Sequence, residues 1–279
     1  MRKIEVSVVI ATCIVAIASC VSYQTSRETK SPVEEQIESQ SEQSEQDEPL
    51  IEEAIELPTH KPDFDAIADI PTKKQTFFDY LRPGIAVENQ RIAKERELIE
   101  QLAQQPVLSA KERAQLVALG EEYRLTFPKE GESTQRWFEV MLQRVDALPP
   151  ALVLTQAANE SAWGASRFAT EANNYFGQWC YSEGCGLVPN QRPSGMTYEV
   201  AKFSSAAEST HRYFMNVNRN SAYVELRQMR TELREQGQDI ESIDAANILA
   251  GGLTRYSERG QYYVDDIRAM IRHNHSYWQ

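Results

Sequence analysis

The chain has 279 residues, 41% of them hydrophobic and 25% charged, with a formal net charge of −12 at pH 7. That length is enough for a full hydrophobic core, while the lack of a basic patch or an interleaved aromatic stripe excludes a nucleic-acid-binding module. Ten acidic residues and no lysine or arginine fall between Ser31 and Glu56, so the acidity describes that segment and says little about a substrate.

Residues 1–20 begin with Arg2 and Lys3, carry an apolar run from Val6 to Ala18, and end in Ile17-Ala18-Ser19-Cys20. The run is too short for an ordinary membrane-spanning helix and reads as an export signal. Small residues before a cysteine resemble a bacterial lipoprotein signal, with Cys20 as the lipidated first residue; the other reading is a plain signal peptide or uncleaved anchor. The expected location is the periplasm of a Gram-negative bacterium, lipid-anchored to a membrane. The outer membrane is favoured because Val21 is not an aspartate. Residues 21–70, rich in Ser, Gln and Glu, read as a disordered acidic tether.

Residues 71–134 are expected to form a helical extension. One segment covers 73–81 and stops at Pro83-Gly84, and a second covers 86–105 with Ile85, Ile92 and Ile99 in register. Ser109 to Glu112 is a capping-box pattern opening a helix to about Leu125. Thr134 to Leu148 places Trp137, Met141, Val145 and Leu148 on one helical face. These residues read as core, packed against a domain covering 135–279.

Pro149-Pro150 suits a helix start, and Val153, Ala157, Glu160 and Gly164 then follow at helical spacing on one small, apolar face. A lone carboxyl there has its charged form disfavoured by desolvation. Such a group can protonate a leaving oxygen. The competing reading is a glutamate paired with Arg167 or capped by backbone donors. Further on, Gly186–Val188 and Met196–Phe203 flank Pro193-Ser194-Gly195 as a hairpin. Ser205 to Glu208 caps a helix running through Tyr223, and two more helices are expected over Ser242–Ala250 and Gln261–His273. Cys180 and Cys185, an even pair in an exported chain, are expected to form a disulfide. Two cysteines without nearby histidines supply only half a zinc shell, so no metal or other cofactor is implied.

Glu160-Ser161-Ala162-Trp163-Gly164-Ala165-Ser166 and Asn173-Asn174-Tyr175-Phe176-Gly177 resemble the E-S-x-W-G-x-S and N-N-x-F-G blocks of the glucosaminidase family, endo-β-N-acetylglucosaminidase-like glycoside hydrolases. The likeness covers roughly residues 135–275. It implies a mainly α, lysozyme-like α+β domain with a small β-hairpin lobe, and a cleft between that lobe and the helix bearing Glu160. It also implies that Glu160 is the general acid in cutting the glycan strands of peptidoglycan. Leu253 to Tyr263 is similar to a family segment whose first tyrosine faces the cleft, which implies a catalytic part for Tyr256.

Glycoside cleavage usually takes two carboxylates. Longer family members carry the second on the first hairpin strand, but Val188 to Arg192 contains no acid here. Glu199 is then the candidate, Glu183 reads as a turn residue, and the substrate's own N-acetyl group is the alternative. Trp179, Tyr175 and Asn174 are the candidate substrate-binding residues, while Trp163 and Phe176 read as core. A peptidoglycan amidase and a non-catalytic glycan-binding wall protein are the rival functions.

Overall fold

The computed structural model describes residues 54–190 and 192–278. The export signal, the Cys20 lipid site and most of the acidic tether lie outside them. The fold is built on a 34-residue helix, α1 (Ile70–Ala103), capped by Asp69, whose side chain accepts the Thr72 amide. Its buried face carries Phe77, Phe78, Leu81, Ile85, Ile92, Ile99 and Leu102, and it packs on three later helices, α3 (Gln135–Arg144), α4 (Pro150–Ser161) and α6 (Ala206–Arg219).

The sequence predicted a break at Pro83-Gly84, and α1 runs straight through it. An interior proline removes one helical hydrogen bond and crowds the carbonyl four residues earlier, at a cost of about 3 kcal/mol. Burying seven large apolar side chains on one continuous face, at roughly 1.5–3 kcal/mol each, outweighs that cost. Gly84 also sits where α6 approaches, since a Cβ there would lie 3.5 Å from the Ala207 Cα.

α2 (Ala110–Glu122) opens with the predicted capping box, Ser109 and Glu112 each accepting the other's backbone amide. After α4 comes a short helix, α5 (Arg167–Ala172), capped by Ser166. The β lobe has three short strands rather than a plain hairpin: β1 (Trp179–Cys180), β2 (Gly186–Leu187) and β3 (Glu199–Ala201), in the order β1-β3-β2, both pairs antiparallel. Trp179 pairs with Val200, and Leu187 pairs with Val200 from the other side. Cys180 and Cys185 are disulfide-bonded across the β1–β2 loop. α7 (Val224–Glu235), α8 (Ile243–Leu249) and α9 (Gln261–His273) complete the helical body. The result is mainly α with a small β lobe, the lysozyme-like architecture expected from the sequence. The described residues form one compact unit.

α7 is tied to the α3–α4 junction by a buried ion cluster. Arg230 is 0% exposed and donates to the carbonyls of Asp146 and Ala147 at 3.0 and 2.9 Å. The Asp146 carboxylate, itself buried, accepts from Arg234 Nε at 2.8 Å and lies 3.4 Å from Arg96 Nη1. Burial alone would raise the Asp146 carboxyl, but Arg230, Arg234 and Arg96 together hold it below the usual carboxylate range.

Candidate active site

The two sequence blocks build one wall of a cleft. At the end of α4, Ala162, Trp163 and Gly164 are all left-handed, with φ of 51°, 57° and 80°. Ser161 holds this turn: its hydroxyl donates to the Ala157 carbonyl at 2.6 Å and accepts the Gly164 amide at 2.9 Å. A Cβ on Gly164 would lie 2.4 Å from the Phe64 ring. The turn therefore needs a serine, a glycine and close packing to leave Glu160 at the helix end, half-exposed to the cleft.

Glu160 is not the lone carboxyl that its apolar helix face suggested. Its Oε1 accepts from Tyr263 Oη at 2.9 Å and from Asn159 Nδ2 at 3.2 Å. Tyr263 in turn accepts Gln156 Nε2 at 2.9 Å, while Gln156 Oε1 accepts the Tyr213 hydroxyl. The relay fixes every proton's direction: Tyr213 donates to Gln156, Gln156 to Tyr263, and Tyr263 to Glu160. Burial, reinforced by the adjacent Glu160, pushes the Tyr263 phenol far up, so it remains a donor. Arg167 pairs with Glu171 at 3.3 Å instead of with Glu160.

The other oxygen, Oε2, faces Gly177, whose φ is +64° and whose Cβ, if present, would sit 3.5 Å away. Glycine at this position satisfies the left-handed backbone and leaves the approach to Oε2 open. Tyr256 reinforces the same segment. Its hydroxyl donates to the Phe176 carbonyl at 2.8 Å, and its ring stacks on Tyr263 at 5.3 Å. Tyr263→Phe is expected to lower kcat about tenfold with KM little changed, because Glu160 loses its fixed donor. Steady-state kinetics, with a thermal melt to confirm folding, would check this.

The cleft encloses about 740 Å³ and is lined by Glu160, Tyr256 and Trp179, three of the six residues expected at the site. Trp179 is 49% exposed, its ring edge-on to Tyr198 at 4.9 Å. It presents an exposed aromatic ring to the cleft.

The other three are structural. Tyr175 is 0% exposed, its ring against Phe77 and Tyr80, and offers no face to a ligand. Asn174 is buried and fully committed: Nδ2 donates to the Gln178 and Ala201 carbonyls at 2.9 Å each, and Oδ1 accepts the Gln178 amide at 3.0 Å. It braces the N-N-x-F-G turn against β3. Glu199 is 3% exposed and accepts the Gly184 and Gly186 amides at 3.0 and 2.7 Å, which hold its carboxyl below the usual range. It locks the loop between the cysteines and does not line the cleft. Cys180, Cys185 and Glu199 have their donor atoms within 4.8 Å, but the sulfurs are bonded to each other and the carboxylate is held by amides, so the trio does not suit a metal.

A different carboxylate does line the cleft. Glu208, read from sequence only as a helix cap, presents Oε2 to the Ser204 amide and hydroxyl at 2.8 and 2.7 Å. Those two bonds hold it below the usual carboxylate range. From it, Arg212, Asn216 and Asn220 follow at four-residue intervals as a polar stripe of α6 along the cleft. The buried Tyr213, Phe214 and Val217 form the opposite, packed face. That polar periodicity was the available signal in the sequence.

Residues 137–276 match the family model described as mannosyl-glycoprotein endo-beta-N-acetylglucosaminidase. The chain is also 31% identical over 202 residues to Protein bax of Escherichia coli (strain K12), covering 72% of this chain and 70% of that protein. No solved structure matches. With half of its residues matched by the family model, and a relative of this identity over most of both sequences, the chain belongs to the glucosaminidase family of glycoside hydrolases.

Proposed function

We propose that the protein is an endo-β-N-acetylglucosaminidase that cuts the glycan strands of peptidoglycan, with Glu160 as general acid. The observation that carries this reading is the Glu160 carboxyl itself. One oxygen is fixed by Tyr263 and Asn159, and the other is open to the cleft at Gly177. A proton on Oε2 would then meet a glycosidic oxygen lying over Gly177. Trp179 supplies the sugar platform, and Tyr256 acts as a positioning residue that holds the Phe176–Gly177 backbone.

For the second carboxylate, Glu208 takes the place of Glu199. It lines the cleft, and its bonds from the Ser204 amide and hydroxyl favour the ionised form, the state a base requires. The substrate's N-acetyl group is the alternative nucleophile. The amidase reading finds no support in the cleft: no histidine lines it, and Cys180 is spent in its disulfide. In the same reading, Cys20 tethers the enzyme to a membrane on the wall side.

Digestion of purified sacculi, with mass spectrometry of the products, tests the assignment. The expected product is glycan with N-acetylglucosamine at the new reducing end. Reducing-end N-acetylmuramic acid, or released stem peptides with intact glycan, would show a different enzyme.

A further inference from the structure

Beyond Glu160, the cleft continues to a wall that carries three cations, Arg124, Arg212 and Arg219, with Glu208 as the acid beside them. Arg124 and Arg212 are exposed, and neither side chain makes a hydrogen bond or ion pair with any described residue. Arg219 donates only to a backbone carbonyl, that of Glu122, at 2.8 Å. Burial lowers the Arg219 pKa, and the like charges of Arg124 and Arg212 lower it further, with Glu122 opposing them. Arg219 therefore feels both other cations, and all three line the same cleft. Of the neighbouring acids, Glu122 pairs with Arg91 at 3.4 Å, and Glu208, bonded to Ser204, lies one helical turn from Arg212 and feels its charge.

The backbone beneath Arg124 is the second observation. Leu125 N–H bonds to the Gly120 carbonyl at 2.7 Å and Arg124 N–H to the Glu121 carbonyl at 3.2 Å. This is the double bond pattern that ends a helix on a left-handed residue, ordinarily glycine. Arg124 occupies that position at φ 57°. Arg144 Nη1 holds the turn through the Tyr123 and Arg124 carbonyls at 2.6 and 2.9 Å. A glycine would be unstrained here, yet the chain places a cation there, lining the cleft.

We propose that Arg124, Arg212 and Arg219 form a subsite for the carboxylates that branch from a peptidoglycan strand, on its stem peptides or on lactyl groups from which the peptide has been removed. Guanidinium forks match carboxylates in pairs of charge-assisted hydrogen bonds, whereas an uncharged glycan offers them only neutral, weaker acceptors. The subsite rests on the peptidoglycan reading above, and Arg124 comes from outside the matched residues 137–276. Selectivity for wall glycan is then partly a property of the helical extension.

Calorimetric binding to the full chain tests this with three probes: a disaccharide-tetrapeptide muropeptide, the peptide-free N-acetylglucosaminyl-N-acetylmuramic acid, and an uncharged chitin disaccharide. Wild type is expected to bind at least one charged probe about tenfold more tightly than the uncharged one, an advantage that weakens with salt. Selectivity for the muropeptide alone assigns the subsite to the stem peptide, gain with the peptide-free disaccharide alone assigns it to a lactyl carboxylate bared by loss of the peptide, and equal gain with both shows that either carboxylate is accepted. Arg124→Gly and Arg212→Gln together are expected to erase the preference. Because glycine suits the left-handed turn, Arg124→Gly should keep the wild-type melting temperature or raise it, which separates lost binding from lost folding. Equal affinity for all three probes, or a preference that survives in the double variant, overturns the proposal. Charge-selective binding without new reducing ends from sacculi would instead sink the glycosidase reading and leave the subsite standing.

Discussion

Glu160→Gln is expected to lower turnover of peptidoglycan glycan about a thousandfold, the scale of a lost general acid. The amide has nearly the shape of the carboxyl, and its oxygen can still accept from Tyr263, so the relay back to Tyr213 stays intact. What disappears is a transferable proton at the Gly177 side. KM should stay near the wild-type value, since the aromatic and polar walls are unchanged. Release of reducing ends from sacculi, together with a thermal melt, gives the result. Wild-type turnover in a folded Glu160→Gln protein would remove Glu160 from the chemistry.

Asp146→Asn is expected to cost about 3–5 kcal/mol of folding stability, as when one member of a buried ion cluster is removed. Arg230 has no exposed surface and would lose its only carboxylate, since its other bonds go to carbonyls and to Asn218. The cluster also sets a pH dependence. The folded-state pKa of Asp146 lies below its unfolded value, about 3.9. Its contribution is therefore present above pH ~4 and is lost as the pH falls through the folded value. Urea melts across the acid range should show a steeper loss for wild type than for Asp146→Asn. Equal slopes would mean that the charge on Asp146 does not anchor α7.

Local patterns exposed the helices whose capping and periodicity agree with their tertiary setting. The Ser109–Glu112 box and the α3 and α9 faces are of this kind. α1 was misread because its continuity depends on partners distant in sequence, which outweigh a local proline. β1 has only two residues, Trp179 and Cys180, and exists through pairing with β3, so no periodicity could announce it. At the site, Glu160, Tyr256 and Trp179, picked out in the sequence, all line the cleft. Asn174 and Tyr175 share the motif but serve the backbone, and a motif alone does not separate bracing from contact. Glu208 was hidden by its second task as a cap, and Arg124 by its distance along the chain from the motif blocks.

The uninterrupted α1 has a consequence for where the working unit begins. Its buried face meets α3, α4 and α6, which lie largely within the matched residues 137–276, and Phe64 ahead of it closes on Gly164 beside Glu160. Cutting the chain at the edge of the matched region would strip apolar cover from the helix that carries Glu160. The smallest portable form of this enzyme therefore starts before Phe64, and grafts, truncations or fusions should treat residues 64–278 as indivisible.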